Sequence, residues 1–248
     1  MRFFITSQQL LGETLALGAE DAQHISRVLR MRPGDELTVC CDDGMTYHCA
    51  LQQADKQGAL AWILHREPSS GEPSALVTVY AGLSKGDRFD YLIQKCVECG
   101  VSRIVPFTSR YCVVRLEKGD GEKKRQRYAR IALEASKQCG RARPVEVGEI
   151  VPFSQALSQA KESACGLFLY EKEQQRSLSA LLRGSDPRGS FSVVTGPEGG
   201  FSLEEAALAE EMGLHCVSIG PRILRCETAP VAAVCAIMYQ TGNFDIGV

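Results

Sequence analysis

The chain has 248 residues, 44% hydrophobic and 23% charged, with a formal net charge of −2 at pH 7. That length suits one large or two modest domains, the composition is that of a globular protein, and the near-neutral charge excludes a surface coated with cations for nucleic acid. No apolar run approaches the roughly 18 residues that span a bilayer, so no membrane partner is expected. M-R-F-F-I-T-S-Q-Q-L at the start has no apolar core followed by a small-residue cleavage site, so a cytoplasmic location is expected.

Residues 1–70 read as one small unit. A helix is expected over 19–31, with Ile25, Val28 and Leu29 at helical spacing, and R-P-G-D (32–35) is a turn signal. Three β-prone pieces follow, at 36–41, 45–51 and 59–66; short strands between Gly and Asp turns predict a small β-barrel. E-P-S-S-G-E-P-S (67–74) has the composition of a linker.

From residue 75 strands and helices alternate. Strands are expected at 75–83, 103–109, 165–171, 191–196 and 215–220. Helices are expected at 89–100, 122–140, 153–160, 203–213 and 229–242. This alternation predicts an α/β domain over 75–248, with a mostly parallel sheet covered on both faces and ligands bound at the carboxyl ends of its strands. Pro106 places 103–109 near a sheet edge. Ser202 is expected to cap the helix at 203, with Glu205 completing a capping box. Thr228 is expected to cap the last helix, with Pro230 just inside.

The eleven cysteines are odd in number and irregularly spaced, which fits a reduced pool better than a disulfide framework. Cys96-Val-Glu-Cys99 has no second pair at zinc spacing, and the four histidines form no ligand motif, so no metal is expected. Positive charge concentrates in the middle of the chain: residues 75–149 hold 15 basic and 9 acidic side chains, and Arg110–Arg143 alone hold 11 and 4. Such a stretch is either a solvated helix face or a track for a phosphate backbone.

Three strand ends carry the chemistry: L-Y-E (169–171), T-G-P-E-G-G (195–200) and I-G-P-R-I-L-R-C-E-T-A (219–229). Neither a dinucleotide fingerprint nor a P-loop is present. The glycines let backbone approach a ligand closely. G-P-E-G-G-F-S and I-G-P-R-I-L-R-C-E-T-A, in that order, resemble the signature of the SPOUT methyltransferases. More narrowly, the chain resembles the family that methylates N3 of uridine 1498 in 16S ribosomal RNA. H-I-S-R-V-L-R-M-R-P-G-D (24–35), Q-K-C-V-E-C-G-V-S-R-I-V-P-F (94–107) and E-A-S-K-Q-C-G-R-A-R-P (134–144) extend the likeness over nearly the whole chain.

The resemblance implies a PUA-like RNA-binding barrel followed by a domain with a deep trefoil knot, about residues 166–242. It also implies a homodimer, S-adenosyl-L-methionine as cofactor, and the small ribosomal subunit as substrate. It assigns the cofactor to Leu169, Tyr170, Thr195, Gly196, Pro197, Gly199, Gly200, Ile219, Gly220, Pro221, Ile223, Leu224, Arg225 and Thr228. N3 of uridine carries a proton that must leave, which requires a base or a cation beside the developing anion. Arg225 is the candidate cation, with Arg222 near it; Glu198 and Glu227 are the candidate bases. Arg2, Arg27, Arg30, Arg32, Arg141, Arg143 and Arg222 are the expected RNA contacts. Two other readings stay open: an RNA-binding assembly factor without catalysis, and a SPOUT enzyme with another RNA target. Cys226 places a thiol beside the site, where its reactivity matters.

Overall fold

The computed structural model describes residues 2–117 and 119–245. Two compact units are present: Met1–Glu72 with Ser136–Pro144, and Pro73–Ala135 with Val145–Val248. A single cut at 70–75 does not provide for the return of 136–144 to the first unit.

That unit contains β1 (Arg2–Ile5), β2 (Leu10–Leu11), β3 (Thr14–Leu17), α1 (Ala19–Gln23), β4 (Glu36–Cys41), β5 (Met45–Ala54) and β6 (Ala59–Pro68). The strands form one six-stranded sheet in the order β1-β4-β5-β6-β3-β2. β1 runs parallel to β4, and the other pairs are antiparallel. Period-two alternation turns Leu15, Leu17, Val39, Tyr47, Cys49 and Ala61 into one core, which Phe3 and Ile25 complete. Tyr47 is buried, and its hydroxyl donates to Asp43 Oδ2 at 2.7 Å.

The helix expected over 19–31 stops at Gln23. His24–Val28 form a π turn in which Leu29 N–H donates to the His24 carbonyl at 3.0 Å, and Arg30 adopts φ +54°. The wider turn rotates later residues off the core face. Ile25 is therefore buried, whereas Val28 and Leu29 are exposed.

Glu72 ties 136–144 into this unit. Its carboxylate accepts from Arg141 Nη2 at 2.6 Å, Arg141 Nε at 2.9 Å and Ala142 N–H at 2.8 Å. Lys137, also buried, donates to Asp21 Oδ1 at 2.7 Å.

The second unit runs β7 (Leu76–Gly82), α2 (Arg88–Glu98), β8 (Arg103–Thr108), α3 (Asp120–Cys139, of which the part from Ser136 belongs to the first unit), β9 (Glu146–Val147), β10 (Val151–Pro152), α4 (Phe153–Ala160), β11 (Cys165–Leu169), α5 (Leu178–Leu182), β12 (Ser190–Thr195), α6 (Leu203–Glu211), β13 (His215–Val217) and α7 (Ala229–Gln240). Its seven strands are all parallel, in the order β10-β8-β7-β12-β11-β13, with β9 also pairing β8. β8 lies near the sheet edge, as its proline predicted, one short strand in from it. It lies against β7 on one side, and its other side is shared by two short strands, β9 at Arg103–Ile104 and β10 at Phe107–Thr108. Pro106 falls in the gap between them, where no donor is needed.

Neighbouring strand residues serve opposite faces. Val77, Val79, Leu167 and Val193 pack with Phe89, Ile93, Tyr128, Leu178, Val234 and Ile237 from α2, α3, α5 and α7. Tyr80, Phe107, Phe168 and Val194 pack with Phe153, Leu157, Ala206 and Ala209 from α4 and α6. No disulfide joins the eleven cysteines. Cys96 is fully buried in the first of these clusters, and Cys99 Sγ lies 3.3 Å from Cys235 Sγ on α7. Among the described residues no group of three His, Cys, Asp or Glu is placed to hold a metal, and no helix is long and apolar enough to cross a membrane.

Candidate active site

The loop after β12 is held at both ends. Thr195 is buried at the strand terminus. At the far end Ser202 N–H donates to Glu205 Oε2 at 2.9 Å, and Glu205 N–H donates to Ser202 Oγ at 3.2 Å, the capping box expected for α6. Between them the loop packs too tightly for side chains. A Cβ on Gly82, at the end of β7, would lie 2.6 Å from the Pro197 nitrogen, and one on Gly199 would lie 2.7 Å from Tyr111 Cβ. Gly200 has φ +65°, and its N–H donates to the Pro197 carbonyl at 2.9 Å. A side chain at Gly82, Gly199 or Gly200 would meet protein, so these glycines also set how the loop packs.

Ser177 bridges to Ser218 in parallel, and this brings the segment after β11 beside the loop after β13. Gly220 turns that loop at φ +112°. The Arg225 carbonyl accepts from Thr228 N–H and Ala229 N–H, both at 2.9 Å, and so opens α7. Thr228 occupies the cap position, but its hydroxyl makes no capping bond.

These loops enclose a cavity of about 1060 Å³ at the carboxyl ends of β11, β12 and β13. Leu169, Tyr170, Thr195, Gly196, Pro197, Gly199, Gly200, Ile219, Gly220, Pro221, Ile223, Leu224 and Arg225 all line it, as do Glu198, Glu227 and Arg222; Thr228 does not. Glu171, the end of the L-Y-E stretch, lines it too; Arg88 and the segment Glu173–Ser177 also line it and were not expected. No period marks 173–177 in the sequence; its place depends on the remote pairing with Ser218.

The charged lining comprises four arginines (Arg88, Arg176, Arg222, Arg225) and four glutamates (Glu171, Glu173, Glu198, Glu227), a net charge of zero. Glu198 Oε1 accepts from Lys85 N–H at 2.8 Å and Arg88 Nη1 at 2.7 Å. Burial pushes its pKa up, but these donors outweigh burial and hold it below the usual carboxylate value. Glu198 is therefore an ionised clasp on the glycine loop and a weak base. The Cys226 thiol donates to Glu227 Oε2 at 3.2 Å; burial, then the Glu227 carboxylate, push it up to about 12. Arg176 pairs with Glu173 and Glu210. Arg225 is 82% exposed, with Nη1 4.0 Å from Glu227 Oε1. The Tyr170 hydroxyl is buried without a hydrogen-bond partner; burial, then Glu171, raise its pKa.

The expected RNA contacts divide. Arg27, Arg30 and Arg32 are exposed on and just after the π turn. Arg2 is partly buried, with Nη1 unpartnered. Arg143 is exposed, with Nε 3.4 Å from Glu72. Arg141 is corrected: it is buried against Glu72, because a guanidinium inside a unit needs a carboxylate partner. In α3, Arg125 pairs with Glu122 and Arg127 with Asp90, so part of the basic stretch is locally neutralised.

The sequence matches the RNA methyltransferase domain family over residues 71–238 and the RNA methyltransferase PUA domain family over 17–63. It is 36% identical to the ribosomal RNA small subunit methyltransferase E of Bacillus subtilis, over 97% of this chain and 96% of the relative. The chain belongs to the ribosomal RNA small subunit methyltransferase E family. The Mycobacterium tuberculosis member of this family is 27% identical over 99% of this chain and 94% of its own. A Neisseria gonorrhoeae member, solved bound to S-adenosyl methionine, superimposes with a TM-score of 0.85 at 32% identity, covering 96% of each chain. A Legionella pneumophila methyltransferase with SAM bound gives 0.86 at 28% identity, also covering 96% of each. As a family member, the chain has a PUA fold in its first unit and an α/β RNA methyltransferase domain in its second.

Proposed function

We propose that this protein transfers a methyl group from S-adenosyl-L-methionine to N3 of uridine 1498 in 16S ribosomal RNA of the small ribosomal subunit, acting as a cytoplasmic homodimer. The observation that carries this is the charge-balanced cavity at the strand ends with the exposed Arg225 on its wall. A zwitterion with an additional cation suits four arginines and four glutamates better than a polyphosphate would. Leu169, Val217, Ile219 and Leu224 offer an apolar wall, and the unpartnered Tyr170 hydroxyl offers a hydrogen bond.

When bound, the cofactor supplies a methyl group made electrophilic by its sulfonium. The protein's part is position and field. The target base leaves the RNA stack to present its pairing edge. Arg225 faces the developing uridine anion at O2 or O4 and lowers the cost of losing the N3 proton. Glu227 is the remaining candidate base, since Glu198 is clasped by Lys85 and Arg88. Arg27, Arg30 and Arg32 hold phosphates. The trefoil knot belongs to the same reading: after the loop 218–228, α7 packs back against α2 and β7, as a threaded C-terminus would.

The test is incubation with methyl-labelled S-adenosylmethionine and small subunits from cells lacking the gene, followed by reverse transcription. Label in 16S RNA with a stop at uridine 1498 is expected, because N3-methyluridine cannot pair. Label elsewhere would discard the target. Cofactor binding and label both absent would leave a non-catalytic assembly factor.

A further inference from the structure

Tyr111 has no part in the site as described, yet it is built into its edge. It lies on the segment that leaves β8, and that segment is pinned on both sides of it. Arg110 N–H donates to Glu205 Oε1 at 3.0 Å, joining the capping box of α6, and Arg110 Nη1 donates to Glu204 Oε2 at 3.2 Å. Cys112 is buried, with its N–H on the Ser109 carbonyl at 3.2 Å and its sulfur 3.3 Å from Ser109 N–H. Between these anchors Tyr111 presses on the cavity loop. A Cβ on Gly199 would lie 2.7 Å from Tyr111 Cβ, 3.3 Å from its carbonyl oxygen and 3.5 Å from Cγ. Gly199, which lines the cavity, must be glycine for Tyr111 to sit there.

Tyr111 is 43% exposed, and the Arg110 guanidinium lies 5.9 Å from its ring centroid. Val113, two residues on, is also exposed, as is Arg115. A rigid aromatic face beside cations suits one ligand class well: an unpaired nucleobase, whose π face stacks on the ring while its phosphate meets the arginines.

We propose that Tyr111 stacks on the RNA base next to the one that enters the cavity. Extruding a base removes a stacking partner from its neighbour. The exposed ring, fixed to the cavity loop through Gly199, takes that partner's place and sets the register of the RNA over the cavity. This rests on the methyl transfer proposed above.

The test uses the full-length protein with Tyr111→Phe and Tyr111→Leu. It measures kcat and KM for small subunits lacking the methyl mark, and cofactor Kd by calorimetry. The phenylalanine variant keeps the ring and is expected within about 2-fold of wild type in every quantity. The leucine variant keeps the Cβ contact with Gly199 and loses the stack; KM for the subunit should rise about 10-fold, the size of one base–aromatic stack, with cofactor Kd unchanged. Tyr111→Met serves as the second non-aromatic variant if leucine impairs folding. A wild-type KM in the non-aromatic variants overturns the stacking role and leaves methyl transfer standing. A rise in cofactor Kd that parallels KM also overturns it, because Tyr111 would then only brace the loop. A wild-type protein that binds the cofactor but transfers no methyl group overturns both.

Discussion

Arg88 and Arg176 are each tied to a carboxylate at hydrogen-bond distance, whereas Arg225 reaches Glu227 only at 4.0 Å and is 82% exposed. A loosely held guanidinium on a cavity wall is free to meet charge that develops in a substrate. Arg225→Ala should lower kcat by about 100- to 1000-fold, the range for losing one preorganised donor to an anionic transition state. Cofactor Kd should move little, and single-turnover kinetics with calorimetry separates the two. Its neighbour Cys226 behaves in the opposite sense. With its thiol pushed up to about 12, thiolate at pH 7.5 is scarcer by about 1000-fold than for a thiol at the ordinary value of 9.0. Alkylation by iodoacetamide, followed by mass spectrometry, should spare Cys226 while the exposed Cys139 reacts. Rapid labelling of Cys226 would contradict the buried, Glu227-bonded thiol.

Elements show which parts of the chain speak locally. The Glu72–Arg141 pair closes the first unit across 69 residues of sequence. Burial raises the Glu72 pKa, but Arg141, Ala142 N–H and Arg143 outweigh it, so the folded value lies below the ordinary value of 4.5. The resulting stability is fully present above pH 4.5 and is lost as pH falls through the folded value. Glu72→Gln leaves Arg141 buried with a neutral partner and should cost about 3 kcal/mol at neutral pH. That gap should narrow below the ordinary carboxylate range, where wild type loses the same interaction. Urea titration followed by the fluorescence of Trp62, the single tryptophan, reads the first unit alone. A gap that stays constant with pH would count against the pair. Nothing near Arg141 in sequence names Glu72, which is why that arginine resembled a phosphate contact. Local signals fared better. Ser202 with Glu205, and the helix at Phe153–Ala160, were legible because capping and apolar spacing act within a turn or two. β1 to β3 and α5 are too short to show a period, and the π turn at His24 breaks the one that was read. The site followed the same division. Its glycine loops could be read directly, but Glu173–Ser177 is placed only by the pairing of Ser177 with Ser218.

For the whole molecule, the last helix bears on the proposed homodimer. Ala233, Val234, Ile237 and Met238 of α7 are buried in the core, and Val231, Cys235 and Ala236 are only partly covered. Tyr239 is 77% exposed, and Phe244 beyond the helix is 52% exposed. A helix apolar on every side needs apolar partners on every side. In the proposed homodimer a second copy of this chain would supply one by symmetry. Ile223, in the cavity loop, is 84% exposed as well. Light scattering should therefore give twice the chain mass of 27.1 kDa at micromolar concentration. Tyr239→Glu should shift the protein toward monomer, since a carboxylate buried at such an interface would lack a partner. The same variant should weaken cofactor binding, because the Arg225 carbonyl that opens α7 belongs to the loop lining the cavity. Two results would separate these claims. A monomer at every concentration removes the dimer, whereas a monomeric Tyr239→Glu variant with wild-type cofactor Kd keeps the dimer and uncouples it from the site.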